Sequence, residues 1–266
     1  MNKIEQSFPI FVINLPIDKD RRAAIERRLH VLGARYEVVD GVYGDDARVI
    51  ARYDQIRAIK EHGKPLVFGE RGCALAHVLV HERIIRENIP YALILEDDIL
   101  LPDNFIEIVQ KEIDKKRKNW DWLSFDYRYV GPLFFYHWII ASIRTTRKNP
   151  PFFFYALAKA PYMAALSIFE GARDIIAKIV PSYAGAKRFY RPLYNAGAYV
   201  LTLDGAKKML PFTKPLRLTA DQLPNVVRFK TNFNLYGYVP LMVRQNTVDY
   251  ETQAGKDEEE WKKIKR

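Results

Sequence analysis

The chain has 266 residues, 48% hydrophobic and 28% charged, which suits a globular α/β protein with a sizeable core, as one large domain or two small ones. Its single cysteine, Cys73, excludes an intramolecular disulfide and any cysteine-rich metal cluster. The net charge of +10 points to an anionic partner: nucleic acid, an anionic membrane or a phosphorylated substrate.

The N-terminal apolar run FPIFVINLP is short for a secretory signal and is followed at once by DKDRR. It reads as a first strand, Ile10 to Leu15, buried on both faces. DKDRRAAIERRLHVLG predicts a helix capped by Asp18 or Asp20, with Ala24, Ile25, Leu29 and Leu32 on one face and Gly33 as the stop. RYEVVDGVYGDD gives a second short strand ending in Asp40, then a loop carrying Val42 and Tyr43. In open parallel sheets ligands sit outside the carboxyl ends of strands, where Asn14, Leu15 and Asp40 fall.

GERGCALAHVLVHERIIRENIP predicts a helix whose Leu75, Val78, Leu79, Glu82 and Ile85 face the sheet, ended by Pro90. Glu70, Arg71 and Gly72 precede it, and a helix N-terminus is suited to anions. His77 and His81 have metal-ligand spacing, but no third ligand nearby completes a zinc set. They read as ordinary polar positions on a half-buried helix.

The strand YALILEDD follows, and it ends in three acids. Extended, Glu96 and Asp98 point to one side roughly 7 Å apart. Their repulsion is on the order of 2 kcal/mol at an intermediate dielectric, and Asp97 adds to it. Either a solvated loop accommodates these charges or a cation offsets them. The apolar flanks, YALIL before and Ile99 to Leu101 after, favour a sheet edge and an oxygen-ligated Mg²⁺ or Mn²⁺.

FVINLPIDKDRR, VVDGVYG, GERGCALAH and ALILEDD, followed by NAGAYVLTLDGAKKMLP, TADQLP and VPLMVRQ, together resemble the family 25 glycosyltransferases. These are bacterial lipooligosaccharide galactosyltransferases related to the collagen galactosyltransferases. The resemblance covers residues 8–105 and about 192–247. It implies a GT-A-like, Rossmann-type nucleotide-sugar fold with a mostly parallel central sheet. It also implies an inverting, metal-dependent transfer from UDP-galactose to a lipooligosaccharide hydroxyl. By that resemblance the acidic motif Glu96-Asp97-Asp98 binds Mn²⁺ (or Mg²⁺), with Asp98 the direct ligand and Asp97 supporting metal or ribose, and Asp221 in LTADQLP is the base or positions the acceptor. Asp221 also reads simply as a helix cap or turn aspartate. Location adds the donor-site candidates Asn14, Leu15, Asp40, Val42, Tyr43, Glu70 and His77, with Tyr43 placed to stack on uracil. Arg21 and Arg22 either meet phosphate or are solvated helix residues, and Arg22, which matches the family's Asp-Arg-Arg pattern, is the donor candidate of the two. Where the family often has serine before the histidine of GERGCALAH, this chain has Ala76.

Residues 128–191 are aromatic and basic, with ten Lys or Arg against two acids. Ala172, Ile175, Ile176, Ile179 and Val180 follow helical spacing there. The stretch reads as an insertion docking on an anionic membrane beside a lipid-linked acceptor, or as a buried insertion with a basic rim. No nucleic-acid motif accompanies the basicity. The expected organisation is one catalytic domain over 1–266. It divides into a donor half (8–105), the insertion (128–191), an acceptor half (192–250) and a charged tail (251–266). The expected location is cytoplasmic and peripheral on the inner face of the membrane.

Overall fold

The computed structural model describes residues 6–62, 64–115, 119–127, 165, 168–170, 172–190 and 192–246. It opens with the expected β-α-β unit: β1 (Ile10–Asn14), α1 (Lys19–Val31) and β2 (Glu37–Asp40). Ile25 and Leu29 are the buried positions of α1, and Gly33, at φ 65°, turns the chain after it. Two short helices, α2 (Ala47–Arg52) and α3 (Gln55–His62), lead to the long α4 (Phe68–Arg86). Then come β3 (Tyr91–Glu96), β4 (Ile99–Leu100), α5 (Phe105–Asp114) and β5 (Trp122–Ser124). The remainder supplies β6 (Gly185–Arg188), β7 (Ala198–Thr202), α6 (Leu203–Met209), α7 (Gln222–Lys230), β8 (Leu235–Val239) and β9 (Arg244–Gln245).

Seven strands form one sheet in the order β2-β1-β3-β7-β5-β8-β6. β1, β2, β3, β5 and β8 share one direction, while β7 and β6 run against it. The sheet is therefore mixed but mostly parallel in strand direction, an α/β fold as expected. The carboxyl ends of β1, β3 and β5 lie along one edge.

Alternation along the strands builds two cores. Phe11, Ile13, Ala92, Ile94, Tyr199 and Leu201 face one way, into a cluster completed by α4, α6 and α7. Ile10, Val12, Leu93, Leu95, Ala198 and Val200 face the other, against α1 and α5. Burial of both faces explains why β1 and β3 are continuously apolar.

Two details of α4 differ from the sequence reading. It ends at Arg86, and Asn88, at φ 51°, makes the turn well before Pro90. Its buried face includes Ala74, His77, Val78, His81 and Ile84, while Leu79, Glu82 and Ile85 are only half-buried. The face is rotated because two histidines belong to the core, and Glu82 pairs instead with Arg52 at 3.1 Å.

The basic stretch 128–191 lies largely outside the described residues, as does the tail 251–266. Residues 172–179 are helical. There Ala177 and Arg173 face inward and Ile175, Ile176 and Ile179 are exposed, so the apolar stripe faces outward rather than into a core.

Candidate active site

The sheet edge and the N-terminus of α4 enclose a cavity of about 790 Å³, within the range of small-molecule sites. One wall forms where the loop after β2 packs on the first turns of α4. That contact is close because both sides use glycine. A Cβ on Gly44 would lie 2.1 Å from the Phe68 carbonyl oxygen, and one on Gly72 would lie 2.0 Å from that of Val42. The glycines of VYG and GERG thus set the width of this wall. Val42 and Tyr43 line the cavity from the loop, and Glu70, Cys73 and His77 line it from the helix.

The acidic triplet divides into one strand residue and two turn residues. β3 ends at Glu96, and Asp97 and Asp98 form the turn into β4. β4 pairs antiparallel with β9, and the Asn246 N–H donates to the Asp98 carbonyl at 2.6 Å, which clamps the turn. The three carboxylates have different surroundings. Asp97 is buried; it accepts from Asn14 Nδ2 at 2.6 Å and meets Arg21 Nη1 at 3.6 Å. Glu96 is engaged at both oxygens. Oε1 faces His77 Nε2 at 3.1 Å and Cys73 Sγ at 3.6 Å, and Oε2 accepts from Gln245 Nε2 at 3.4 Å. Burial acts to raise the Glu96 pKa, but its donors, His77 first, outweigh that and hold it below the usual carboxylate range.

Asp98 differs from both. Its Oδ1 is buried without a hydrogen-bond partner. Burial, then repulsion from Glu96 and Asp97, pushes the carboxyl up to about 7. Such an atom costs free energy unless something positive reaches it.

Behind His77 lies a buried polar chain. The Tyr199 hydroxyl meets His77 Nδ1 and His81 Nε2, each at 2.8 Å. With one proton to give, it donates to one ring and accepts from the other. Tyr199 stacks on Trp122 with centroids 3.5 Å apart, which fixes the whole set. Burial, then His77, pushes His81 down to about 3. Both histidines are therefore core groups, not the half-buried polar positions that the sequence suggested.

Another part of the wall carries Asp221, at the start of α7. Its side chain does not cap that helix. Oδ1 accepts from the Thr219 hydroxyl, and Oδ2 meets the Asn195 N–H at 3.4 Å. Asn195, at φ 78°, also donates through Nδ2 to Asp126 at 3.3 Å, tying this wall to the end of β5.

Of the sequence candidates, Leu15, Val42, Tyr43, Glu70, His77, Glu96, Asp97, Asp98 and Asp221 line the cavity. Asn14 acts one layer back, through Asp97. Glu70 is occupied at its own helix, accepting from the Val67 N–H at 2.9 Å with Lys64 3.5 Å away. Arg22 and Asp40 are not brought to the site. Arg22 pairs with Glu26 at 3.2 Å on the outer face of α1, and Arg21, one residue back, reaches the acids. Asp40 is exposed because β2 is an edge strand. Cys73, Asn195, Thr219 and Gln245 were missed. A signal existed for all four: Cys73 stands in GERGCALAH, Asn195 opens NAGAYVLTLDGAKKMLP, Thr219 opens TADQLP and Gln245 ends VPLMVRQ.

The sequence profile of glycosyltransferase family 25 (LPS biosynthesis protein) matches residues 8–224. Procollagen galactosyltransferase 1-A of Xenopus laevis is 29% identical over 121 residues, which is 42% of this chain and 20% of that protein. A probable inactive glycosyltransferase 25 family member 3 of Bos taurus is 26% identical over 242 residues, 84% of this chain and 33% of that protein. The chain thus matches only a fifth to a third of the length of these relatives. Among solved structures, a glycosyltransferase involved in glycosylation of the major capsid of PBCV-1 has a TM-score of 0.44 at 9% identity, covering 96% of this chain and 98% of that one. Mouse xyloside xylosyltransferase 1 has a TM-score of 0.38 at 12% identity, covering 85% of this chain and 70% of its own.

Proposed function

The chain belongs to glycosyltransferase family 25, and from that premise we propose that it moves a hexosyl group, galactose first among candidates, from a UDP-sugar to a saccharide hydroxyl with inversion. The acceptor in this reading is a lipooligosaccharide. The observation that carries it is Asp98: a buried carboxylate oxygen without a hydrogen-bond partner, in a triplet whose other two carboxylates, Glu96 and Asp97, also line the cavity.

Asp98 is the ligand for Mn²⁺ or Mg²⁺, because its oxygen is uncommitted and of the hard type these ions prefer. Asp97 stands behind it, oriented by Asn14 and Arg21. Glu96 shapes the wall rather than binding the same ion, since its Oε1 is turned toward His77 and Cys73 and its Oε2 toward Gln245. A divalent cation held at Asp98 would offset charge on the departing diphosphate. Tyr43, 43% exposed beside Val42, offers a ring face for the uracil. Asp221 serves as base. The Thr219 hydroxyl fixes one oxygen and the other is only weakly engaged, so it can take the acceptor's proton.

No helix among the described residues is long and apolar enough to cross a membrane. Docking of the basic stretch 128–191 on an anionic inner leaflet supplies the lipid-linked acceptor in this reading. Flotation with anionic vesicles at low salt tests it, and failure of the intact protein to float would remove it. The transfer reaction is tested with a panel of UDP-sugars and Mn²⁺, reading released UDP with and without oligosaccharide. Turnover of one donor is expected. A second reading, a non-catalytic membrane- or saccharide-binding protein that keeps the fold without the chemistry, is motivated by the relatives named inactive. Donor-independent silence in the panel, with saccharide binding retained, would favour it.

A further inference from the structure

The cavity contains a second donor set, distinct from Asp98. Cys73 Sγ, His77 Nε2 and a Glu96 oxygen all lie within 4.8 Å of one another. The His77–Glu96 edge of this triangle is 3.1 Å and the Cys73–Glu96 edge 3.6 Å. A tetrahedral zinc ion, with bonds of about 2.0 Å to nitrogen and oxygen and about 2.3 Å to sulfur, places its ligand atoms roughly 3.3–3.6 Å apart. The Cys73–Glu96 edge therefore already has tetrahedral length, the His77–Glu96 edge falls slightly short of it, and the third edge, under 4.8 Å, closes as the ligands draw onto the ion.

We propose that Cys73, His77 and Glu96 form a binding site for a soft divalent cation of the zinc class, with three protein ligands and a fourth position open to the cavity. The donor types separate this site from Asp98: thiolate and imidazole select zinc-like ions, whereas an isolated carboxylate suits Mg²⁺ or Mn²⁺. The support behind the ligands is already built. His77 Nδ1 meets the Tyr199 hydroxyl, which receives its N–H when Nε2 carries the ion. Tyr199 is itself held by Trp122 and His81. Glu96 Oε2 remains tied to Gln245. Loading replaces the S–H bond by an S–metal bond and releases one proton to solvent. Affinity consequently weakens as pH falls. The site does not depend on sugar transfer.

Cobalt(II) reports on this directly. Cys73 is the only cysteine of the chain, so any near-ultraviolet thiolate-to-cobalt absorption must come from it. Titrated with Co²⁺ in thiol-free buffer, the intact protein is expected to show that band, saturating at one equivalent and displaced by Zn²⁺. Cys73→Ser removes the band, and Glu96→Gln weakens Co²⁺ binding by about tenfold or more. Circular dichroism without metal confirms that each variant is folded. A folded wild-type protein without the band at saturating Co²⁺ overturns the proposal. Zn²⁺ raising the melting temperature of Cys73→Ser as much as that of the wild type also overturns it. A band without UDP-sugar turnover supports this site and counts against the transferase reading; turnover without a band counts against this site alone.

Discussion

Gly72→Ala probes the wall that separates this cavity from an ordinary loop–helix contact. The new Cβ would sit 2.0 Å from the Val42 oxygen and 3.1 Å from the Gly44 nitrogen. Ordinary contact begins near 3.4 Å, so loop and helix must part by about 1.4 Å. Overpacking of this kind costs about 1–3 kcal/mol, and alanine in a helix returns about 0.5–1 kcal/mol of it. The net loss expected in urea unfolding is therefore about 1–2 kcal/mol. The larger effect falls on ligand binding and chemistry, because Tyr43 and Cys73 move apart with the wall; a 1 Å misplacement can cost on the order of a hundredfold in rate. Gly33→Ala is the control. Gly33 sits at φ 65° with nothing within 4 Å of the added carbon, so it loses about 1–2 kcal/mol through backbone strain alone. It should leave UDP binding in the presence of Mn²⁺ unchanged. Equal UDP affinity in the two variants would refute the reasoning that the glycine pair shapes the site.

Arg21→Ala should weaken UDP binding by about tenfold, while Arg22→Ala, which loses only an exposed pair with Glu26, should stay within twofold by calorimetry. His81 supplies a pH dependence. Its folded pKa, about 3, is depressed below the usual histidine value, so between about pH 6.5 and 3 the unfolded chain binds a proton that the folded chain does not. Stability from this group is complete above pH 6.5 and is lost as pH falls. Between pH 7.5 and 5 the wild type should lose about 2 kcal/mol more than His81→Gln in urea unfolding; parallel losses would contradict the burial of a neutral imidazole. Asp221→Asn should keep UDP and Mn²⁺ binding while transfer falls by about a hundredfold or more, as for a lost general base. Weakened UDP binding with transfer intact would assign Asp221 to the donor instead.

The first hundred residues were legible because their physics is local. A twice-covered strand is continuously apolar, a surface helix repeats every 3.6 residues, and acids collect where β3 leaves the sheet. The rest depends on distant partners. β5 and β6 are three and four residues long and carry little pattern. The insertion of β7 between β3 and β5 is set by pairing across long stretches of chain. Arg21 and Arg22 are alike in sequence, and only a rotation of about 100° around α1 sends one to Asp97 and the other to Glu26. The burial of His77 and His81 depends on Tyr199, more than a hundred residues away, whose hydroxyl satisfies both rings. Without that partner in view, the apolar residues of α4 alone gave a face turned partly toward solvent.

The central claim is that Asp98 holds a divalent cation that in turn holds the donor diphosphate. Calorimetric titration of UDP into wild type and Asp98→Asn, each with Mn²⁺ and with chelator, tests it most directly. Asparagine keeps the shape and removes a repelled charge, so the variant should fold. The account predicts that wild type binds UDP at least about tenfold more tightly with Mn²⁺ than with chelator, a difference of about 1.4 kcal/mol, and that Asp98→Asn loses this difference. Equal UDP affinity in all four titrations, or an Mn²⁺ effect that survives in Asp98→Asn, would contradict it.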